Sequence, residues 1–237
     1  MKDYKELEML LEEIYRKELM KIKASVSKYT ASDSSRGIAQ MIGRRYGYLW
    51  EVLVKETLKI SKEIKLGDKI FYKKYVDKWL DYNLDTNMSI CCIENSRKTV
   101  IKFLAENTGT KRQDLCDFTI IDGLNKYAID TKFSFTSNDA SKIRQIADSG
   151  KQLKFLEYEP ILLFRTNEGR NRKLAMKRFK KNGWNIIYGI NAIQLIKDKT
   201  GFDLGKWIDD NIDIWSELNE YQSKLVMLKF GEENWKF

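Results

Sequence analysis

The 237-residue sequence predicts an α/β fold in which a mixed central β-sheet is flanked by helices and preceded by a helical N-terminal region. Three observations support this prediction. Apolar residues recur at helical spacing through the first quarter of the chain, a tight hairpin is predicted at 113–135, and short apolar runs then alternate with amphipathic stretches. No repeat or proline-rich linker divides the chain, so a single domain, 1–237, is expected.

Two long amphipathic helices are predicted at the N-terminus, at about 3–28 and 37–61. Gly47 lies in the middle of the second helix, where a glycine costs about 1 kcal/mol relative to alanine. We therefore expect another backbone to approach closely at Gly47. Glu51 follows on the same helix, beside its apolar stripe.

The next part of the sequence gives weaker signals. Lysines alternate with aromatic residues between 65 and 85, and we interpret this stretch as a helix with buried rings and solvated lysines. Contact with a phosphate backbone is the alternative. Residues 90–93 are a candidate strand, and 99–103 are either another strand or the start of a helix.

The hairpin at 113–135 carries the candidate functional residues. Two β-branched and aromatic runs flank the turn-forming stretch 122–125. With a loop of that length, Asp117 falls directly opposite Asp130, and Lys132 follows on the same face. The other face is apolar and is expected to join the core: Phe118, Ile120, Tyr127, Ile129, Phe133 and Phe135.

Two directly opposed carboxylates need a shared proton or a cation, because their Cβ atoms lie about 4.5–5.5 Å apart. Mg²⁺ takes oxygen ligands and commonly uses one or two carboxylates with phosphate and water. Lys132 would add a positive donor for a phosphate oxygen or for the attacking water. These residues therefore indicate phosphodiester hydrolysis, and an ion-pair ladder on a solvated sheet face is the alternative.

Asp117, twelve intervening residues and then Asp130-Thr131-Lys132 resemble the D…(D/E)xK signature of the PD-(D/E)xK nuclease superfamily, which includes most type II restriction endonucleases. The resemblance implies a restriction-endonuclease-like α-β-β-β-α-β core with the signature on the second and third strands. It implies Asp117 and Asp130 as metal ligands, the Thr131 backbone carbonyl as a further ligand and Lys132 as the catalytic lysine. Cys116 stands where the superfamily name has proline.

The same resemblance suggests roles for other parts of the chain. Many of these nucleases carry a helical glutamate that points into the active site, which makes Glu51 an accessory catalytic candidate; a glutamate at the edge of a packed helix face is the alternative. The helical region 1–65 is expected to form a dimer or DNA-clamp element. The catalytic α/β core is expected at 88–190, followed by C-terminal helices at 191–237.

The part after the hairpin supplies the remaining elements of the predicted core. A helix is expected at about 140–156, interrupted at Ser149-Gly150. An apolar run at 160–164 is typical of a buried central strand. A strand at 184–189 and a helix at 191–199 follow.

Charge and composition restrict the possible functions. Lys and Arg total 43 against 34 Asp and Glu, and the net charge of +9 favours a polyanionic partner. The strongest basic cluster lies between 165 and 181, and an exposed helix face is its alternative reading. Its members expected to contact DNA phosphates are Arg165, Arg170, Arg172, Lys173, Lys177 and Arg178.

The absence of histidine excludes Ser-His-Asp and Cys-His catalysis and the histidine-metal nuclease folds. Carboxylates, lysines and metal ions remain. Cys91, Cys92 and Cys116 lack CxxC spacing, so we expect buried free thiols. No signal peptide, transmembrane run or lipidation motif is apparent, so we expect a cytoplasmic protein without membrane contact.

The sequence therefore predicts a type II restriction endonuclease, with an ApaLI-like or neighbouring subfamily suspected. It would use Mg²⁺ to cut double-stranded DNA at a specific palindrome as a homodimer. A structure-specific repair or junction-resolving nuclease of the same fold is the first alternative. A non-catalytic basic nucleic-acid-binding protein is the second.

Overall fold

The computed structural model describes residues 4–26, 35–84, 114–135 and 137–212. Within them, five strands form one mixed sheet in the order β1-β2-β3-β4-β5. The strands are β1 (Ile64–Gly67), β2 (Phe118–Asp122), β3 (Asn125–Lys132), β4 (Glu159–Phe164) and β5 (Asn185–Tyr188). β1, β2 and β3 are antiparallel neighbours, whereas β3, β4 and β5 are parallel. The predicted mixed sheet flanked by helices is therefore confirmed.

Seven α-helices are described within the same ranges. They are α1 (Tyr4–Val26), α2 (Ser35–Leu58), α3 (Tyr72–Leu84), α4 (Ala140–Phe155), α5 (Lys173–Lys181), α6 (Gly189–Thr200) and α7 (Leu204–Asn211), with a 3₁₀ turn at Glu168–Arg170. None of these helices is long and apolar enough to cross a bilayer. The two predicted N-terminal helices, the helix after the hairpin and the strands β4 and β5 are confirmed.

Apolar clusters cover both faces of the sheet. The first cluster joins α1, α2, α6 and α7 to residues such as Phe118, Ile129 and Leu163. Trp50 of α2 donates from Nε1 to the Leu163 carbonyl at 3.2 Å, which fixes α2 against the centre of the sheet. The N-terminal helices therefore share a core with the sheet that the sequence assigned to the catalytic region.

The second cluster lies on the opposite face and joins α4 and α5 to residues such as Ala128, Leu162 and Phe164. Cys116 is fully buried in this cluster, and its thiol is in no disulfide, as predicted. The predictions for Cys91 and Cys92 lie outside the described residues.

The first strand of the sheet is β1, at Ile64–Gly67, and its position corrects the prediction. The catalytic core was expected to begin at 88, with a first strand at 90–93 or 99–103. The sheet begins before residue 88, because β1 pairs antiparallel with β2. Helix α3 follows β1 in the chain. The candidate strands at 90–93 and 99–103 lie outside the described residues, as does the part of the C-terminal helical prediction beyond 212.

The hairpin has the predicted register. Ile121 pairs with Lys126 and Asp122 with Asn125, so the loop has the expected length. The apolar face is also as predicted, with one exception. Strand β3 ends at Lys132, and Phe135 turns to the second cluster, where its ring packs edge-on against Phe179 at a centroid distance of 5.2 Å.

Two glycines differ from expectation. Gly47 has no atom within 4 Å of an ideal Cβ among the described residues, so the predicted close approach is not found within them. Gly150 does not interrupt α4, which is continuous. A Cβ at Gly150 would instead lie 2.6 Å from the indole ring of Trp184, which donates from Nε1 to the Ile146 carbonyl at 2.7 Å.

Candidate active site

The candidate residues of the hairpin lie at one edge of the sheet. β3 and β4 are parallel and end at this edge, and β2 begins there because it is antiparallel to β3. Asp117 immediately precedes β2, while Asp130 and Lys132 are among the last three residues of β3. The carboxyl ends of parallel strands are a common location for binding sites in α/β sheets.

Backbone hydrogen bonds hold this edge on both sides. The Asp117 N–H donates to the Ile129 carbonyl at 2.9 Å. On the other side, the Arg165 N–H donates to the Lys132 carbonyl at 2.9 Å and the Thr166 N–H donates to the Phe133 carbonyl at 3.1 Å. The backbone from 129 to 133 is therefore fixed where the candidate side chains emerge.

Asp117 is bound by Thr131 through two donors. The Thr131 N–H and hydroxyl group both donate to Asp117 Oδ2, at 2.7 and 2.9 Å. Burial and the charge of Asp130 raise the pKa of Asp117 from 3.8 to about 7; Lys132 opposes this shift and Glu51 adds to it. With this pKa, the Asp117 carboxyl group is mostly protonated and neutral below about pH 7. Above that pH it is charged, and a bound cation would offset the repulsion from the second acid.

Asp130 and Lys132 form an ion pair beside Asp117. Lys132 Nζ donates to Asp130 Oδ1 at 2.5 Å and to the Thr131 carbonyl at 3.0 Å. Asp130 is fully buried, and Asp117 is only 7% exposed. The alternative was an ion-pair ladder on a solvated sheet face. The ion pair is present, but the face is not solvated, because both acids lie in the interior.

Glu51 belongs to the same electrostatic environment. It is half-buried on α2, one residue after the tryptophan that anchors this helix to β4. Its charge raises the pKa values of both Asp117 and Lys69. The structure thus places the accessory candidate near the acid pair, although it gives Glu51 no direct contact with either acid.

Lys69 and Asp114 also belong to this region, and the sequence reasoning missed both. Lys69 Nζ lies 3.2 Å from Asp114 Oδ2. Partial burial lowers the pKa of Lys69, but the hydrogen bond to Asp114 and the charges of Glu51, Asp114 and Asp117 raise it overall. Lys69 is separated from Asp114 by 45 positions in the chain, so no local pattern could have joined them.

No family model, curated protein or solved structure matches this chain. Its function therefore has to follow from the chemistry of the site.

The oxygen donors at the site fit Mg²⁺ as a two-carboxylate site. Asp117, Asp130 and the Thr131 carbonyl are hard oxygen donors, and Mg²⁺ commonly binds one or two carboxylates with water and phosphate. Among the described residues, no group of three or more Asp, Glu or Cys side chains is arranged to hold a metal ion. A cation here would replace Lys132 Nζ at Asp130 and at the Thr131 carbonyl, because the ammonium group contacts both.

The predicted DNA contacts divide into distinct environments. Arg165 is 6% exposed, and its expected phosphate contact is wrong because the guanidinium is buried. Burial lowers the pKa of Arg165 to about 9, and the charge of Asp209 opposes this shift. Arg172 is half-buried, and its Nη1 donates to the Ser137 carbonyl at 3.3 Å and to the Asn138 side chain.

The remaining basic residues lie on α5 or beside it. Lys173, Lys177 and Arg178 are exposed along the helix, while Ala175, Met176 and Phe179 form its buried face. The side chain of Arg170 lies outside the described residues. The N-terminus of α5 is fixed at the edge that carries the acid pair, since the Arg172 N–H donates to the Phe135 carbonyl at 2.9 Å.

Proposed function

We propose that this protein is a Mg²⁺-dependent endonuclease that hydrolyses phosphodiester bonds in double-stranded DNA, as a type II restriction endonuclease of the PD-(D/E)xK superfamily. One observation carries the proposal. Asp117 and Asp130 are buried beside each other at the sheet edge, with the Lys132 ammonium group in contact with Asp130. Two adjacent buried acids are costly unless a proton or a cation neutralises them, and active sites are where such arrangements are concentrated.

The chain's own residues would divide the work as follows. Asp117, held by Thr131, and Asp130 would bind Mg²⁺, which supplies positive charge against the negative charge that develops on the phosphate. Lys132 is 20% exposed, so its ammonium group can reach a solvent-side oxygen once a cation occupies its present contacts. It would then orient the attacking water or donate to a phosphate oxygen. The Thr131 side chain would keep the Asp117 carboxylate in one orientation.

The exposed basic face of α5 supports a polyanionic substrate. Lys173, Lys177 and Arg178 can bind phosphates without losing buried partners, since their side chains are solvated. Such contacts position a protein on DNA but carry no sequence information by themselves. Arg165 has no part in this interface.

Twofold symmetry belongs to the same proposal. Two subunits that each cut one strand of a palindrome would match the symmetry of the protein to that of the DNA. Analytical ultracentrifugation on duplex DNA tests this point. A protein mass of two chains per duplex is expected, and a mass of one chain would contradict it.

The decisive experiment incubates the purified protein with unmethylated phage DNA in Mg²⁺ or in EDTA. Asp130→Asn and Lys132→Ala are compared with the wild type, and Asp210→Asn, an exposed acid of α7, is the matched control. Discrete Mg²⁺-dependent fragments from the wild type and the control, lost in both site variants, are expected. Thermal melts in EDTA check that each variant is folded.

The opposite result is equally clear. Intact DNA under all conditions, with gel-shift binding retained by both site variants, would overturn the proposal and favour a basic nucleic-acid-binding protein. In that protein the acids and Lys132 would form a buried structural ion pair. Such pairs are costly to break, so a strong effect on stability alone would not identify a catalytic site.

A structure-specific nuclease of the same fold is the second candidate. It is favoured by a cleft next to the acid pair, lined by lysines and aromatic rings, which is suited to unpaired nucleotides. Plasmid DNA separates the two candidates. Discrete fragments from a linear duplex indicate sequence specificity, and cleavage confined to branches, overhangs or mismatches indicates recognition of DNA structure.

A further inference from the structure

A cleft of about 480 Å³ opens between the β1–α3 connection, the first turn of α3 and strand β2. Its rim carries Lys69, Phe71, Lys73 and Lys74, and Tyr158 closes the far side. Phe71 is 54% exposed, so its side chain is accessible at the rim of the cleft. Basic and aromatic side chains therefore converge on one concave surface.

The cleft is linked to the candidate active site through Lys69, whose charge interacts with those of Glu51 and Asp117. Its floor includes Thr119 of β2, two residues after Asp117, and the Thr119 hydroxyl donates to the Asp68 carbonyl at 3.2 Å. The wall is tied to the segment that carries Asp117, because the Leu115 N–H donates to the Ile70 carbonyl at 2.6 Å. A ligand in the cleft would therefore lie against the segment that carries Asp117.

Lys69 stands at the junction between the cleft and the acid pair. Its ammonium group is held by Asp114 and lies within the electrostatic influence of Glu51 and Asp117. Further along the rim, Lys74 Nζ lies 3.5 Å from the Tyr158 hydroxyl and 5.4 Å from the centre of its ring. The lining thus provides cations at both ends.

Acidic side chains also line the cleft and reduce its net positive charge. Asp68 and Asp77 line the cleft together with three lysines, so the lining has a net charge of +1. This balance argues against a site for a dense polyanion and for one that holds a single phosphate with its base. The exposed Phe71 ring provides the flat apolar surface on which a base can stack.

We propose that this cleft binds an unpaired nucleotide of the strand that is cut, with Phe71 stacking on the base and Lys73 and Lys74 contacting its phosphate. Stacking on aromatic side chains combined with lysine contacts to the backbone is the general way in which proteins bind single strands. The cleft volume falls in the range of small-ligand sites, about 300–1,000 Å³. It accommodates a nucleotide but not a base pair with both of its backbones.

This inference rests on the proposed function for the reaction at the acid pair. It deepens that function by naming a subsite for one nucleotide of the duplex that leaves the stack next to the scissile phosphate. Its test measures binding without catalysis, so that the two proposals can fail separately.

The experiment measures fluorescence anisotropy of a labelled oligo-dT of about 12 nucleotides, within the usual range of single-strand site sizes. The full chain is used in EDTA, with a blunt duplex of equal length for comparison. Phe71→Ala is expected to weaken oligo-dT binding at least about fivefold, the lower end of stacking effects, and to leave duplex binding unchanged. Lys73→Gln is expected to lower the salt slope for oligo-dT by about 0.7.

The matched controls come from the tip of the β2–β3 hairpin, which is at the opposite end of the strands from Asp117. Leu124→Ala and Lys126→Gln remove an exposed apolar and an exposed basic side chain there, and both are expected to bind oligo-dT as the wild type does. Because Phe71 is exposed, its truncation is not expected to unfold the protein, and circular dichroism melts verify this for each variant.

Each outcome decides one of the proposals. If Phe71→Ala and Lys73→Gln bind oligo-dT like the hairpin controls, or if they weaken oligo-dT and duplex binding by the same factor, the inference is wrong whether or not Mg²⁺-dependent cleavage is found. Loss of oligo-dT binding in these variants supports the inference, and it does so even when the wild type fails to cut any DNA, a result that would overturn only the proposed function.

Discussion

Replacing Asp117 by asparagine tests the electrostatics of the acid pair directly. The pKa of Asp117 is raised from 3.8 to about 7 by burial and by the neighbouring Asp130. The native state therefore binds one more proton than the unfolded state between these pH values, and the free energy of unfolding falls as pH rises through this window. Asparagine can still accept the two hydrogen bonds from Thr131, but it carries no charge.

The magnitude follows from the same values. A tenfold change in proton affinity is worth about 1.4 kcal/mol, so the difference between 3.8 and about 7 corresponds to about 4 kcal/mol at pH 8. Between pH 5.5 and pH 8 the wild type is expected to lose about 2 kcal/mol of this. Asp117→Asn should show no such loss from this site and should exceed the wild type in stability at pH 8.

Urea denaturation in EDTA at pH 5.5 and pH 8 measures these quantities. Asp210→Asn is the control, since it removes one exposed carboxylate from α7. Mg²⁺ is expected to restabilise the wild type at pH 8, by about 3 kcal/mol at one hundred times its Kd, and to have a smaller effect on Asp117→Asn. The reasoning is refuted if wild-type stability is flat or rises between the two pH values, or if Asp117→Asn is the less stable protein at pH 8.

Three further predictions concern neighbouring positions. Lys132→Met leaves a fully buried carboxylate without its 2.5 Å partner and is expected to cost about 3–5 kcal/mol in metal-free urea melts; a loss below about 1 kcal/mol would show that the pair is solvated. Gly150→Ala is expected to lower Tm because its Cβ would lie 2.6 Å from an indole ring, whereas the helical control Gly47→Ala should gain up to about 1 kcal/mol; equal effects would contradict the packing. Arg165→Gln is expected to lower Tm without changing the salt slope of duplex binding, whereas Lys177→Gln should leave Tm unchanged and reduce that slope by about 0.9; the reverse pattern would return the buried arginine to the DNA interface.

The hairpin could be predicted because its signals are local. Turn-forming residues at 122–125 and the alternation on either side specify the register, and a slip of one residue would exchange the two faces. The predicted apolar face was wrong only at Phe135, which lies beyond the end of β3, where side chains no longer alternate between the two faces of the sheet. β3 ends at Lys132, and Phe135 follows the loop to the other face of the sheet.

Strand β1 could not be predicted because its signal is short and its partner is distant. Four residues with one buried member do not distinguish a strand from a loop. Its pairing with β2 joins Ile64 to Asp122 across more than fifty positions. The same limitation hid Lys69 and Asp114, whose contact depends on where β1 and the following connection are placed.

Arg165 was misassigned because the sequence was read by charge density. It directly follows β4, whose last five residues are all buried, and the burial continues through Arg165 and Thr166. Exposed and buried residues alternate at helical spacing along α5, whereas Arg165 lies in a continuous run of buried residues. Position relative to an apolar run was therefore the better guide to exposure.

The charge balance of the site explains why the two carboxylates differ. Asp130 is neutralised by Lys132, and Thr131 binds Asp117 through neutral donors only. Lys132 lowers the pKa of Asp117, but burial, Asp130 and Glu51 together outweigh it. The chain's own ammonium group thus contacts Asp130, while the raised pKa of Asp117 favours its protonated form below about pH 7. Under the proposed function, Asp117 and Asp130 would hold a divalent cation that offsets both charges, and Lys132 would then turn toward solvent and substrate. The arrangement that is expected to destabilise the metal-free protein above neutral pH would therefore supply the driving force for the proposed binding of Mg²⁺.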